Sequence, residues 1–325
     1  MTNHYSIPLA DIINFSNEIT DQLIINKDPR SLYDPINHIL FNKGKQIRSV
    51  FALLTYDMFG GDINDLKQLI LAIESLHNFT LIHDDVMDNA MLRRGSPTIN
   101  TKWSNNQAIL SGDVLLIKSY QHLLKSSIAN NQILKNFTET AILICEGQQM
   151  DFDFQLKKAL NQVEYFKMIE LKTGVLITFS LLAPASLTNL GNDHTDIMKS
   201  IGNLLGQLFQ IQDDYLDLYG QCSRVGKVIG GDVIEMKKTF LYVTACQNAS
   251  PKKQAELEKI YHSNFNDKID VVLQHYQDLG VQECVKDTIN SFSKKLKNLV
   301  SSINVPIHKK QVFLEFLDII LSRKA

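Results

Sequence analysis

The sequence predicts an all-α protein. Three observations carry that prediction. Glycine and proline are few, 15 and 7 in 325 residues. Apolar residues recur at helical spacing over long runs. The hydrophobic fraction of 44%, against 21% charged, is ordinary for a globular chain and supplies a sizeable core. The chain is long for one domain. No linker or low-complexity tract divides it, so a single domain over 1–325 is expected.

The elements follow in order. Leu9, Ile12, Ile13, Ile19, Leu23 and Ile24 predict an amphipathic helix within 5–27, and Asp28-Pro29 breaks it. Gly44 opens a turn before a helix that Gly60-Gly61-Asp62 ends. A helix over about 64–89 comes next, then a Gly-Ser-Pro loop at 95–97. Helices over about 104–129, 133–155 and 162–185 follow, the last stopped by Pro184. One more over 194–219 carries Gly202 and Gly206, four apart, where a second helix can approach closely. Gly226 to Asp232 reads as a basic loop, with Lys237 and Lys238 opening the next helix. Residues 251–325 give three or four amphipathic helices that read as scaffold.

Composition excludes several classes. A formal net charge of -2 argues against a general nucleic-acid binder. Cys145, Cys222, Cys246 and Cys284 form no CxxC pair. Neither a zinc site nor a disulfide framework is expected, and free thiols fit a reducing cytoplasm. The N-terminus lacks the basic start and apolar segment of a signal peptide. No run of about 18 apolar residues stands out, so no membrane span is expected.

The chemistry is concentrated in two acidic stretches, Asp84-Asp85-Val86-Met87-Asp88 and Asp213-Asp214-Tyr215-Leu216-Asp217, each inside an apolar helical run. Residues four apart share a helix face, so Asp84 lies about 6 Å below Asp88 along the axis, and Asp213 and Asp217 repeat this. Paired carboxylates repel unless a cation sits between them. Mg²⁺ takes one or two carboxylates plus substrate phosphates. One such motif alone reads as a solvated acidic face; two in apolar contexts, the first followed by Arg93 and Arg94, read as metal sites.

Cations accompany these motifs. Lys45 and Arg48 lie at a helix start, where anions bind; the alternative is two solvated surface charges. His77 shares a face with Asp84 and is either a core histidine or a ligand. Arg93 and Arg94 either neutralise the aspartates or bind phosphate oxygens. Lys172, in an otherwise apolar stretch, must snorkel or meet an anion.

Seven segments together resemble the trans-isoprenyl diphosphate synthase (polyprenyl synthetase) family: GKQIR (44–48), HNFTLIHDDVMDNAMLRRGSPT (77–98), GD (112–113), GQQMD (147–151), KTG (172–174), GQLFQIQDDYLD (206–217) and GKVIGGDVIEMKKT (226–239). Ser49 stands where many members have proline. The resemblance implies an isoprenoid synthase fold with helices around a central cavity, as a homodimer. It implies head-to-tail condensation of isopentenyl diphosphate with an allylic diphosphate, using roughly two or three Mg²⁺ ions. By motif match, Asp84, Asp88 and Asp213 hold Mg²⁺, supported by Asp85, Asp214 and Asp217. Arg93, Lys172, Lys227 and Lys237 hold the allylic diphosphate. Lys45, Arg48, His77 and Arg94 hold isopentenyl diphosphate, and Thr173 and Gln210 face the developing cation. Phe79, five before the first aspartate, and Thr80 mark a short-chain enzyme and favour geranylgeranyl diphosphate over farnesyl diphosphate. A longer-chain synthase, a class I terpene cyclase and a non-catalytic partner subunit are the alternatives. The intact second DDxxD argues against the last two.

Overall fold

A computed structural model describes residues 7–157, 160–220, 230–263 and 265–322. The expected all-α class holds. The helices are α1 (Leu9–Asp21), α2 (Arg30–Phe41), α3 (Ile47–Met58), α4 (Lys67–Met87), α5 (Ile99–Lys102), α6 (Asn105–Lys125), α7 (Asn131–Leu156), α8 (Gln162–Ile169), α9 (Val175–Ala185), α10 (Asn189–Asn192) and α11 (Thr195–Tyr219). They continue with α12 (Gly231–Ile234), α13 (Phe240–Asn248), α14 (Pro251–His262), α15 (Lys268–Asp278), α16 (Val281–Ser302) and α17 (Ile307–Leu321). The Gly-Ser-Pro loop is a minimal hairpin, β1 (Leu92–Arg93) antiparallel to β2 (Ser96–Pro97).

The helix α2 has no counterpart in the sequence expectation. Pro35 lies inside it and removes one backbone donor. Burial of Pro35, Ile36, Ile39 and Leu40 compensates. The stretch expected as one helix over 162–185 is three pieces, with a π-helical turn at Glu170–Gly174 between α8 and α9. Gln162–Ala185 is also long and apolar enough for a membrane span, contrary to expectation, yet 72% of its apolar window is buried. Lys237 precedes α13 rather than opening it, because Thr239 caps that helix by accepting from Tyr242 N.

The chain forms two compact units. The first comprises Met1–Ala141, Leu176–Ser200 and Leu299–Ile320. Its centre is α4, buried on all sides from Leu69 to Leu76 and packed on α1, α3 and α6. Phe51 of α3 stacks with Phe313 and Phe316 of α17, centroids 5.2 and 5.0 Å away. Contacts of this kind contribute about 0.5–1.5 kcal/mol each beyond burial.

The second unit comprises Ile142–Val175, Ile201–Asn298 and Leu321–Ala325. Its core holds Tyr165, Ile211, Phe240, Tyr242, Tyr261 and Tyr276. The two buried hydroxyls of Tyr261 and Tyr276 satisfy each other at 2.9 Å. Two glycines let backbones meet at the π turn. A Cβ on Gly147 of α7 would stand 2.3 Å from Lys172 N. One on Gly206 of α11 would stand 2.4 Å from Gly174 Cα.

Candidate active site

In the first unit, α4 carries the acidic motif to its C-terminus. Asp84 and Asp85 lie in the last turn, and Asp88 is the capping residue, its N–H donating to Asp84 O at 2.8 Å. Asp84 and Asp88 are partly exposed, while Asp85 is buried. After the cap the chain reverses, with Ala90 N donating to Asp85 O at 2.9 Å. The hairpin returns Arg93 to the carboxylates: Nε to Asp85 Oδ1 at 2.7 Å and Nη2 to Asp84 Oδ2 at 3.3 Å. Arg93 thus neutralises the aspartates here.

Arg94 takes a different path. Its backbone is left-handed, φ 52°, and its Nη1 donates to Asn42 O at 2.7 Å. The guanidinium lies against Gly44, where a Cβ would meet Nη2 at 2.5 Å. A side chain at Gly44 would push the end of Arg94 aside. Lys45 is exposed just before α3. Arg48 Nη1 sits 3.2 Å from His77 Nε2. Burial, then the charges of Arg48, Arg94 and Arg93, hold the imidazole well below its ordinary value. His77 is therefore neutral and accepts from Arg48.

Glu74, one turn before His77, is buried, and Ser49 Oγ donates to its Oε1 at 2.5 Å. Burial pushes its carboxyl up, against the Ser49 hydrogen bond and the charges of Arg48 and Arg94. Neither Ser49 nor Glu74 was marked as a site residue by the sequence. The signal was there, since an acid amid seven apolar or small residues needs a partner. Phe79 and Thr80 follow on α4, with the Phe79 ring edge-on to His83 at 4.7 Å and Thr80 Oγ1 donating to His77 O at 2.7 Å.

In the second unit, the second acidic motif lies in the last two turns of α11. Asp213 is exposed. Asp214 is buried and accepts from three donors: Tyr165 Oη at 2.6 Å, Phe240 N at 2.7 Å and Gln210 Nε2 at 2.8 Å. Burial, then the charge of Asp232, pushes its carboxyl up to about 7 against the pull of those donors. Asp217 Oδ2 accepts from Asp232 N at 3.1 Å. So Asp214 and Asp217 hold local structure, and Asp213 faces outward.

The π turn presents Lys172 and Thr173. Lys172 Nζ meets Asp151 Oδ2 at 2.6 Å, the anion that an apolar-stretch lysine requires. Nothing in the sequence marked Asp151, twenty-one residues earlier, as that partner. Thr173 Oγ1 donates to Gln210 Oε1 at 3.3 Å, linking Thr173 through Gln210 to Asp214 and Tyr165. Such π turns are frequent at functional sites. Lys237 Nζ meets Glu235 Oε2 at 3.0 Å. Lys227 lies outside the described residues.

The donor set fits a hard divalent cation, being carboxylate oxygens without imidazole or thiolate. Among the described residues no group of three or more His, Cys, Asp or Glu side chains is placed to hold a metal ion.

Comparison with known proteins agrees with this chemistry. The chain matches the Polyprenyl synthetase family over residues 29–279. It is 35% identical over 260 residues to a short chain isoprenyl diphosphate synthase of Methanocaldococcus jannaschii, covering 78% of this chain and 79% of the relative. It is 30% identical over 312 residues to a geranylgeranyl diphosphate synthase of Methanosarcina mazei, covering 94% and 93%. A crystal structure of a geranylgeranyl pyrophosphate synthase superposes with a TM-score of 0.90 at 32% identity, over 98% of this chain and 100% of that one. The chain belongs to the polyprenyl synthetase family and is a trans-isoprenyl diphosphate synthase.

Proposed function

We propose that the enzyme condenses isopentenyl diphosphate head-to-tail with dimethylallyl, geranyl and farnesyl diphosphates to yield geranylgeranyl diphosphate. The observation that carries the chain length is Phe79 followed by the small Thr80 on α4, one turn before Asp84. The diphosphate end sits at Asp84 and Asp88, and the growing tail runs back along α4 to the Phe79 ring. Geranylgeranyl diphosphate synthases among the relatives support this length.

Asp84 and Asp88 on α4 would hold Mg²⁺, as would Asp213 on α11, while Asp85, Asp214 and Asp217 orient their own motifs. When bound, Mg²⁺ supplies a Lewis acid that neutralises the departing diphosphate. Arg93, Lys172, Lys227 and Lys237 bind the allylic diphosphate and receive charge as its carbon–oxygen bond breaks. Lys45, Arg48, His77 and Arg94 bind isopentenyl diphosphate. A neutral His77 suits this role, since it leaves Arg48 charged without adding a third cation beside Arg48 and Arg94. Thr173 and Gln210 turn oxygen dipoles to the allylic cation. The isopentenyl double bond then adds, and the proton leaves to the departed diphosphate.

The test is incubation with farnesyl diphosphate and labelled isopentenyl diphosphate, with Mg²⁺ and with chelator. Mg²⁺-dependent label in a longer, acid-labile product is expected. No incorporation would overturn the reading.

We also propose a homodimer in the cytoplasm. Ile109, Leu110, Ile117 and Leu124 of α6 are exposed at helical spacing and favour a partner copy. Cys145, Cys246 and Cys284 are free thiols, as a reducing compartment keeps them. A sedimentation mass near twice the 36.9 kDa of the chain is expected, and a monomer mass would contradict the dimer.

A further inference from the structure

We infer that His83 is a positioning residue for product length, acting through Phe79. The inference rests on the reading of Phe79 as the stop for the growing chain. The imidazole of His83 fills the gap between α4 and α6. On the α6 side its Nε2 lies 3.1 Å from the Ile109 carbonyl. It lies 3.8 Å from Asp113 Oδ1. Gly112 leaves no slack there, since a Cβ at that position would stand 2.3 Å from both Cδ2 and Nε2 of the ring. On its other side the ring meets Phe79 edge-to-face, centroids 4.7 Å apart at 63°.

The imidazole thus lies between the α6 backbone at Ile109 and Gly112 and the aromatic ring that ends the chain. Phe79 is only partly buried, and a phenyl ring with open space beside it changes rotamer readily. The hydrogen bond to Ile109 fixes His83 against α6, and the ring edge fixes Phe79 against His83. A tail pressing on Phe79 therefore presses on α6 through His83. This role also accounts for Gly112: any larger residue would displace the imidazole and with it the stop.

The experiment compares His83→Ala, His83→Gln, Phe79→Ala and the double variant Phe79→Ala/His83→Ala. Products are dephosphorylated and resolved by chromatography, with thermal unfolding recorded for each. His83→Ala should shift the main product by one isoprene unit. Its kcat/KM for the first condensation should stay within about threefold of wild type, because the tail does not reach Phe79 in that step. His83→Gln keeps a donor for the Ile109 carbonyl and gives up only the ring edge. It should lengthen the product as well and guards against a misfolded alanine variant. In the Phe79→Ala background, His83→Ala should add nothing, because the stop it positions is gone.

Lengthening by Phe79→Ala with none by either His83 variant would overturn the inference and leave the reading of Phe79 standing. Equal lengthening by His83→Ala with and without Phe79 would also overturn it, since His83 would then act on its own. No lengthening by Phe79→Ala would remove the reading and the inference together.

Discussion

Gly206→Ala probes the π turn most sharply. The added methyl would stand 2.4 Å from Gly174 Cα and 3.1 Å from Gly174 N. Carbon atoms rest at about 3.5–4.0 Å, so α11 and the turn must part by about 1 Å or more. Both contacts are backbone, so no side chain can swing aside. Overpacking of this kind costs about 1–3 kcal/mol of stability. The functional loss should be larger. Lys172 and Thr173 ride on the turn, and Gln210 lies one helical turn beyond Gly206 on α11. A misplacement of about 1 Å at catalytic groups lowers turnover by about 10²-fold. The variant should therefore remain folded, melt several degrees lower, and lose about two orders of magnitude in kcat for the allylic substrate. Steady-state condensation kinetics and thermal unfolding check both. Wild-type kcat in a folded Gly206→Ala protein would refute the claim that this backbone contact sets the site.

Other predictions follow from the remaining groups. Asp84→Ala and Asp213→Ala should lose activity mainly in kcat, since metal acts on the leaving group in the transition state; near-wild-type turnover in either would sink the assignment. Arg94→Ala should raise KM for isopentenyl diphosphate more than for the allylic substrate, and Arg93→Ala the reverse; equal effects would show one undivided electrostatic patch. His77 is held below its ordinary value of 6.5 in the folded chain, so the unfolded chain takes up the proton first as pH falls. The stability its neutral form contributes is present above 6.5 and is lost below it, toward the folded value. Melting temperature should thus drop more between about pH 7 and about pH 5 in wild type than in His77→Gln, and parallel curves would contradict a buried neutral imidazole.

What the sequence made legible was local. An i,i+4 pair of aspartates announces its own face; Asp84 lies in the last turn of α4 and Asp213 in the last two turns of α11. Helix type was also readable from periodicity, as in α1, α6 and α16. What stayed hidden depended on residues distant in the chain. At the break between α8 and α9, Gly147 and Gly206 let their backbones approach the KTG turn, and apolar spacing over 162–185 carries no trace of either. The pairing of Lys172 with Asp151 and of Ser49 with Glu74 requires two helices each. Ser49, which stands where many members have proline, has a hydroxyl that serves the buried Glu74 carboxyl. The helix α2 escaped because Asp28-Pro29 reads as a break, and burial of its apolar face outweighs the donor lost at Pro35.

The chain length made by the wild-type enzyme decides whether Phe79 is the stop. Purified protein is supplied with Mg²⁺, dimethylallyl diphosphate and excess labelled isopentenyl diphosphate, and the dephosphorylated product is resolved by chromatography. With Phe79 as the stop and Thr80 leaving room before it, geranylgeraniol should dominate. Farnesol as the end product would place the stop one unit nearer the diphosphate. A ladder of longer alcohols would show that Phe79 does not stop the chain.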